Sequence, residues 1–390
     1  MKTLILSFNA GGGHNSCAKA IKEYFDAQGE VCDIVDALSF SSPKLSDTIG
    51  RWHVRTYRYF PWFFRWGYEL SERRPYLYGK HTLPHHILTK GSASIAHYIR
   101  ESGYDTVICT HVFCSMMITD MLEHYPMDLT TAFVATDYTC SPPGQESDLQ
   151  YYFIPDLSLS SEFLCDTITE DKLIGSGIPV RQSFYDRKDM AEAKAQLGLP
   201  ETSVHMLLMC GSMGCGPMEE MASILSEMLM DDMELSIVCG TNELLQHRLE
   251  KEFEGKSHVH IYGFVQDMST LMDSADLCLT KPGGLSTTEA EAKHLPMVLV
   301  NAVAGCEDHN LKYYTELGGA VTAETPQELA ELSLELLQNP ERRKAMQAAL
   351  AAHTNNSAAE IYEVLHAASE KKAHETSAQA GSELSASAAQ

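Results

Sequence analysis

The sequence predicts an α/β protein built from two Rossmann-like domains. Strand-like apolar runs alternate with helix-like segments along the chain, a pattern typical of parallel sheets covered by helices. The same unit recurs in the second half, and 390 residues exceed the usual size of one domain. We therefore expect an N-terminal domain over residues 1–185 and a C-terminal domain over residues 195–355, with a hinge near residues 180–200.

The predicted elements follow this division. Strands are expected in the first half at residues 3–8, 31–35, 106–110, 131–136 and 151–154, and in the second half at 205–209, 235–239, 258–261, 277–279 and 297–300. The first helix is expected over residues 16–28. Thr325 and Glu328 form a capping-box pattern that opens a helical stretch reaching nearly to Ala368, with breaks near Asn339 and Asn355. Residues 356–371 read as a C-terminal helix packing back on the N-terminal domain, and residues 372–390 as a disordered tail.

Composition narrows the class of protein. Hydrophobic residues make up 44% and charged residues 21%, and no apolar run approaches the roughly 20 residues of a membrane-spanning helix. The 11 cysteines include no CxxC pair, which favours reduced, buried thiols in the cytoplasm. The net charge of -24 opposes binding to nucleic acid and to anionic lipid, unless basic residues are concentrated in one segment.

The first motif that could take part in binding or catalysis is FNAGGGHNSCAKAI, between the first strand and the first helix. Backbone amides and a helix N-terminus form an anion-friendly concavity there, although the spacing is neither a dinucleotide fingerprint nor a P-loop. His14 is suited to act as a general base on a hydroxyl near neutral pH. The alternative is a tight glycine turn that carries an incidental histidine.

The second motif is LTKPGGLSTTEAEAKHLPMVLVNAVAGCEDHN, residues 279–310. A strand ends at the Pro-Gly-Gly turn and a helix begins near Ser286. The backbone amides at the start of this helix have no partner within the helix and could hold a diphosphate. Glu289, one turn into the helix, could accept hydrogen bonds from a ribose diol, or could serve only the helix dipole. Glu307 and Asp308 are expected on a loop, where they either accept from sugar hydroxyls or are simply solvated.

These motifs carry a family resemblance. KPGGLSTTEAEA followed by LPMVLVNAVAGCEDHN resembles the donor-binding signature of glycosyltransferase family 28, and GGGHNSCAKAI, TDYTCSPPG and GSGIPVRQSF resemble its diacylglycerol-sugar branch. That branch contains monogalactosyldiacylglycerol synthases and processive diacylglycerol glucosyltransferases. The resemblance covers roughly residues 1–355 with the motifs in the family's order. It implies a glycosyltransferase B fold, two Rossmann-like domains facing a cleft, and an inverting mechanism with no metal and no cofactor, in which UDP-glucose or UDP-galactose is the donor.

The resemblance also implies roles for individual residues. Glu289 matches the ribose-binding glutamate, and His14 matches the acceptor-side catalytic histidine, with Asp137 of the TDYT turn a second candidate there or merely a turn cap. Glu307 and Asp308 match acidic positions that face the hexose. Gly12 and Gly13 are expected on the acceptor side. The other predicted donor-binding residues are Ser212, Gly214, Asn242, Phe264, Val265, Gly283, Gly284, Leu285 and Ser286.

Three positions depart from the family pattern. Cys306 stands where glutamine is usual, Ser141 where histidine is usual, and Thr241 where a basic residue is usual. The first departure affects an expected sugar contact. The third removes a cation from the expected phosphate site, which could alter the affinity for the donor or the identity of the donor.

Residues 51–90 reverse the overall charge of the chain and contain all three tryptophans. Aromatic and basic side chains together suit the interface between water and lipid. We expect this segment to dock on an anionic membrane surface and to admit the lipid, and we place the protein peripherally on the inner face of the cell membrane. The alternative is an aromatic-rich core segment. The residues predicted to make the contact are Trp62, Phe63, Phe64, Arg65 and Trp66.

The leading hypothesis is transfer of glucose or galactose to diacylglycerol or glycosyl-diacylglycerol. A second enzyme hypothesis keeps the donor and changes the acceptor to a polyprenyl-linked cell-wall intermediate. A third is epimerisation of a UDP-sugar, since epimerases share the two-domain fold. A hypothesis of a different class is a protein that senses a UDP-sugar without turnover.

Overall fold

The computed structural model describes residues 1–8, 12–42, 66, 70, 73–300 and 305–388. Within these ranges the chain forms two six-stranded sheets whose neighbouring strands all run parallel. Helices cover both faces of each sheet, as the alternating pattern predicts.

The first sheet has the strand order β2-β1-β3-β4-β5-β6. Its strands are β1 (Lys2–Ser7), β2 (Val31–Asp36), β3 (Thr106–Cys109), β4 (Thr130–Val134), β5 (Tyr151–Ile154) and β6 (Leu173–Gly175). Its helices are α1 (Gly12–Ala27), α2 (Leu83–Thr89), α3 (Ser92–Ser102), α4 (Val112–His124) and α5 (Ser160–Phe163).

The second sheet has the order β12-β11-β10-β7-β8-β9. Its strands are β7 (Val204–Met209), β8 (Met233–Val238), β9 (Val259–Tyr262), β10 (Leu277–Thr280), β11 (Met297–Leu299) and β12 (Ala320–Thr322). The remaining helices are α6 (Gln182–Tyr185), α7 (Met190–Gln196), α8 (Met218–Met228), α9 (Glu243–Glu252), α10 (Met268–Asp273), α11 (Gly284–Ala292), α12 (Cys306–Leu317), α13 (Pro326–Gln338), α14 (Pro340–His353) and α15 (Ser357–Ala388).

Each sheet is apolar on both faces because successive side chains point in opposite directions. In β1, Leu4 and Leu6 enter the core on one face and Ile5 enters the core on the other. In β7, Met206 and Leu208 face one layer, and Leu207 and Met209 face the opposite one. Such strands read as continuous apolar runs, which is why their positions are visible in the sequence.

The chain crosses between the lobes twice, and the two crossings lie side by side. Ser357 Oγ donates to the carbonyl oxygen of Gly177 at 3.0 Å, and Asn356 Nδ2 donates to Gln182 Oε1 at 3.1 Å. Ile178 and Val180 already pack in the core of the second lobe. The hinge predicted at residues 180–200 is therefore placed too late, since Gln182–Tyr185 and Met190–Gln196 form the short helices α6 and α7.

Helix α15 returns to the first lobe, where Ile361 and Leu365 are fully buried beside β1 and α1. It continues to Ala388, so the prediction of a disordered tail from residue 372 is wrong for residues 372–388. The tail is rich in alanine and has no proline, and alanine has the highest helix propensity. The capping box at Thr325 and Glu328 and the break before Pro340 are confirmed.

Candidate active site

The candidate site lies where both sheets reverse their strand order. In the first sheet β1 and β3 are neighbours, and the chain continues from them toward opposite edges of the sheet. In the second sheet β7 and β10 have the same relation. Parallel sheets bind ligands in the crevice outside the carboxyl ends of the strands at such a switch point. His14 follows β1, Ser212 follows β7 and the Pro-Gly-Gly turn follows β10, so the sequence motifs converge on the two switch points.

His14 occupies the first turn of α1, because this helix begins at Gly12 and not at residue 16 as predicted. Gly12, Gly13 and His14 are thus helical and do not form a preceding loop. The first turn of a helix tolerates glycine there because its amides need no partner within the helix. The His14 side chain is therefore carried by a helix and not by a loop.

One nitrogen of His14 is committed to the backbone. Nδ1 lies 2.8 Å from the carbonyl oxygen of Thr110, at the end of β3, and 3.0 Å from Thr136 Oγ1. A carbonyl oxygen only accepts, so Nδ1 carries the proton and Nε2 carries the lone pair. Burial lowers the pKa of His14 to about 4, against a weaker opposing effect of the Thr110 bond, so the ring is neutral near pH 7.

Asp137 is half-buried at the contact between the lobes. Burial raises its pKa to about 6, while a hydrogen bond from Asn310 acts in the opposite direction. Glu307, Lys281 and the Cys306 thiol of the second lobe also act on this carboxyl group. Asp137 adjoins Thr136, whose hydroxyl touches His14, so the two predicted catalytic residues are brought together.

Asn310 joins three segments and was not predicted. It is fully buried, its Nδ2 donates to Asp137 Oδ1 at 3.0 Å and to the Pro282 carbonyl oxygen at 2.9 Å, and its Oδ1 accepts from the Tyr138 amide at 2.8 Å. The bonds to Asp137 and Tyr138 cross between lobes about 170 positions apart in sequence. Asn310 therefore fixes the TDYT turn against the Pro-Gly-Gly turn.

Glycines allow the lobes to approach closely. A Cβ at Gly284 would overlap the Thr136 carbonyl oxygen, and a Cβ at Gly12 would lie 2.6 Å from Ser212 Oγ. A Cβ at Gly13 would meet Leu285 Cδ2 at an ordinary 3.6 Å. The predicted acceptor-side glycines therefore face the predicted donor loops across a closed cleft.

The N-terminus of α11 is suited to an anion. Its N-cap is Gly283, no side chain caps it and no acidic residue lies in its first turn. The partial positive charge of the helix dipole and the amides of Leu285 and Ser286 are therefore not used by a cap. One turn on, burial raises the pKa of Glu289 to about 7, and Arg181 acts in the opposite direction. Arg181 was not predicted as a site residue, although it stands in the GSGIPVRQSF motif.

The glycine-rich loop after β7 is braced from within the second lobe. The Ser212 carbonyl oxygen accepts from the Thr241 amide at 2.8 Å and from the Thr241 hydroxyl at 3.1 Å. Asn242 caps α9 and donates from Nδ2 to the Gly214 carbonyl oxygen at 2.9 Å. Gly214 has a φ of 54° and a Cβ there would overlap the Cys239 carbonyl oxygen, so only glycine fits. Both polar ends of the Asn242 side chain thus contact the protein.

The remaining predicted donor-binding residues differ in how far their side chains are exposed to solvent. Phe264 follows β9 and is 65% exposed, while Val265 is half-buried. Glu307 and Asp308 lie in the first turn of α12 and not on a loop, where carboxylates are favoured by the helix dipole. Glu307 is nearly buried and pairs with Lys281, whereas Asp308 is exposed.

The aromatic-basic segment is only partly described. Trp62, Phe63, Phe64 and Arg65 lie outside the described residues, and Trp66 is 56% exposed. Among the helices that the structure describes, none is long and apolar enough to cross a bilayer. In the same ranges no group of three or more His, Cys, Asp and Glu side chains is arranged to hold a metal ion.

Solved structures share the architecture. The crystal structure of MurG from Acinetobacter baumannii superposes with a TM-score of 0.62 at 12% identity, covering 94% of this chain and 99% of that one. UDP-GlcNAc 2-epimerase from Neisseria meningitidis, bound to UDP-GlcNAc, gives a TM-score of 0.60 at 13% identity, covering 94% of this chain and 99% of that one. At these identities the likeness shows the fold alone, and it is the glycosyltransferase B fold predicted from the motifs.

Sequence comparisons are more specific. Processive diacylglycerol beta-glucosyltransferase of Staphylococcus saprophyticus is 24% identical over 351 residues, covering 88% of this chain and 87% of the relative. The Bacillus mycoides enzyme of the same name is 24% identical over 352 residues, covering 90% and 89%. Residues 14–180 match monogalactosyldiacylglycerol (MGDG) synthase, and residues 205–364 match the glycosyltransferase family 28 C-terminal domain. The first lobe is therefore similar to monogalactosyldiacylglycerol synthase and the second to glycosyltransferase family 28, and the chain is a glycosyltransferase.

Proposed function

We propose that the protein transfers glucose or galactose from a UDP-sugar to diacylglycerol or glycosyl-diacylglycerol with inversion at the anomeric carbon. The observation that carries the proposal is a neutral His14, with Nε2 as its basic nitrogen, on the lobe facing the uncapped N-terminus of α11. One lobe supplies a base for an acceptor hydroxyl and the other supplies a cradle for a leaving diphosphate. The names of the relatives support the lipid acceptor.

The geometry supports a single displacement. Nε2 of His14 takes the proton of the acceptor hydroxyl as its oxygen bonds to the anomeric carbon. The bond from that carbon to the diphosphate breaks on the opposite side, and its electron pair leaves with UDP. Amides at the N-terminus of α11 stabilise the charge that develops on the diphosphate. The products are a glycolipid of inverted configuration, UDP and a protonated His14 that returns its proton to water.

The deciding experiment offers radiolabelled UDP-glucose and UDP-galactose separately, with diacylglycerol in anionic liposomes, and resolves the extracted lipids. We expect a labelled glycolipid from one donor. Parallel reactions replace diacylglycerol with a polyprenyl-linked acceptor or contain no acceptor. Label only in the polyprenyl lipid, or an epimerised sugar without acceptor, would replace the proposal with the corresponding alternative. UDP-sugar binding without turnover in every reaction would favour a sensor.

Recognition of the donor ribose by Glu289 has a pH signature. Burial raises the pKa of Glu289 to about 7, so it loses its proton between roughly pH 6 and pH 8 and becomes a better acceptor for the diol. We expect uridine, which has the diol but no phosphate, to bind more tightly as pH rises over this range. Glu289→Gln should abolish this pH dependence and weaken binding at the upper end by about 10-fold in calorimetry.

Glu291 provides the matched control. It lies on the same helix and burial also raises its pKa to about 7, but its carboxylate accepts from the Tyr314 hydroxyl at 2.6 Å. Glu291→Gln should keep the pH dependence of uridine binding. Loss of that dependence in Glu291→Gln, or its survival in Glu289→Gln, would contradict the assignment.

We also propose that the aromatic-basic segment docks the enzyme on the inner face of the cell membrane. The proposal is supported by its residue types and by the exposure of Trp66. Replacing Trp62, Phe63, Phe64 and Trp66 by serine should reduce sedimentation with anionic liposomes several-fold. Serine at Met230 and Leu244, exposed apolar side chains of the second lobe, is the control and should leave sedimentation unchanged. Equal binding of both variants would contradict the proposal.

A further inference from the structure

Lys281 lies between the two turns proposed to hold the donor diphosphate. It follows β10, the strand that borders β7 at the switch point of the second sheet. A Cβ at Gly211, in the loop after β7, would lie 3.0 Å from Lys281 Cε. A Cβ at Gly283, the N-cap of α11, would lie 3.6 Å from the same carbon and 3.8 Å from Nζ. The Lys281 side chain therefore lies close to one glycine of each turn.

The Lys281 charge is paired with a carboxylate from the first turn of α12. Nζ lies 2.6 Å from Glu307 Oε1, and the two side chains are 15% and 9% exposed. Charges this far from water require a partner, and an ion pair so placed is not by itself strong evidence of a stabilising role. A second anion of matching geometry could therefore take over the ammonium group provided that the Glu307 carboxylate gains other hydrogen-bond donors.

The negative charge at the proposed donor site requires a cation to balance it. Asp137, Glu307 and Asp308 contribute three carboxyl groups, and a diphosphate adds further negative charge. The basic residue expected beside the phosphates is replaced by Thr241, whose amide and hydroxyl both donate to the Ser212 carbonyl oxygen. Helix amides supply only partial charge, so a full positive charge close to both turns has to come from another side chain.

We propose that Lys281 binds the donor diphosphate and that Glu307 is its exchangeable counter-ion. In the structure Lys281 pairs with Glu307. When a nucleoside diphosphate enters, the ammonium group turns to the β-phosphate and the Glu307 carboxylate becomes available to the hexose hydroxyls. The hexose contact therefore forms only after the diphosphate is seated. This inference rests on the proposed UDP-sugar donor and deepens it.

The test compares the binding of UDP, UMP and uridine by calorimetry. The main variant is Lys281→Met together with Glu307→Gln, which removes both charges at similar size and leaves no unpaired ion. We expect UDP affinity to fall about 10- to 100-fold, UMP affinity to fall less and uridine affinity to stay unchanged. Lys281→Arg should restore part of the UDP affinity. Glu307→Gln alone should strengthen UDP binding, because it removes the carboxylate that competes with the diphosphate for the ammonium group.

Lys194→Met is the matched control, since Lys194 is also buried and lies 3.3 Å from Asp276 within the second lobe. It should lower the melting temperature without changing the ratio of UDP to uridine affinity. Equal weakening of UDP and uridine in the double variant would overturn the role of Lys281. Failure of the wild-type protein to bind UDP would overturn the donor class itself. Selective loss of UDP binding without transfer to diacylglycerol would support Lys281 and contradict only the acceptor.

Discussion

Replacement of His14 by alanine is expected to lower kcat by about 100- to 10,000-fold, the usual contribution of a positioned general base. The donor should bind as before, because His14 is on the acceptor lobe and, among the described residues, its Nδ1 bonds to two first-lobe atoms, the Thr110 carbonyl oxygen and the Thr136 hydroxyl. The measurement is single-turnover transfer to diacylglycerol together with UDP binding by calorimetry. His111→Ala is a neighbouring control, since the His111 ring lies 4.5 Å from that of His14 and its Nδ1 caps α4. An equal loss in both variants would point to disruption of the fold around the ring.

The pH profile separates the two catalytic candidates. His14 acts as a base when deprotonated, and its pKa is lowered to about 4, so it stays active until the pH falls near that value. Asp137, with its pKa raised to about 6, loses its negative charge earlier. We expect kcat/KM to decline first below roughly pH 6 and again near pH 4, and Asp137→Asn to remove only the first decline. A single decline at about pH 6.5, the ordinary histidine value, would contradict a buried neutral His14.

Gly284→Ala is expected to reduce transfer by about 100-fold or more, because the new methyl group would overlap the Thr136 carbonyl oxygen and hold the lobes apart. Displacing one lobe moves His14 away from the donor turn by roughly the size of a methyl group, which is enough to disturb an aligned displacement. Transfer rates and small-angle X-ray scattering of the same sample would report both effects. The scattering should show a more open molecule.

The neighbouring glycine supplies the control for that variant. Gly283 has an extended φ of -80°, and a Cβ there would make only ordinary contacts with Lys281. Gly283→Ala should therefore leave the scattering profile unchanged, whatever it does to donor binding. If both variants scattered like the wild type, the close approach at Gly284 would not determine how far the lobes close.

The fold was predictable because buried parallel strands are continuous apolar runs flanked by turns. The ten predicted strands are all present, and no strand end is shifted by more than two residues. The edge strands β6 and β12 were missed because three residues, as in Leu173–Gly175, are too short to show a period. Their existence depends on a neighbouring strand that offers hydrogen bonds, which local sequence does not reveal.

The candidate site was predictable only where its parts are local. His14 and the Pro-Gly-Gly turn follow strands directly, so the sequence indicates which edge of each sheet they occupy. The hydrogen bond of Asn310 to Asp137 joins residues 173 positions apart in sequence, and that of Thr136 to His14 joins residues 122 positions apart. The local sequence of one segment does not indicate which distant residue it will contact. The Lys281–Glu307 pair had a weak signal, since both residues stand inside the quoted motifs. The resemblance supplied the role of the motifs but not these contacts.

Helix α15 has a consequence for the order in which the lobes mature during synthesis. The second lobe is one continuous stretch of chain, whereas the core of the first lobe includes Ile361 and Leu365 from far downstream. Domains that are contiguous in sequence fold as they emerge from the ribosome. The lobe that is translated first can therefore complete its core only after the whole second lobe has been translated, and the apolar surface beside α1 is uncovered until then.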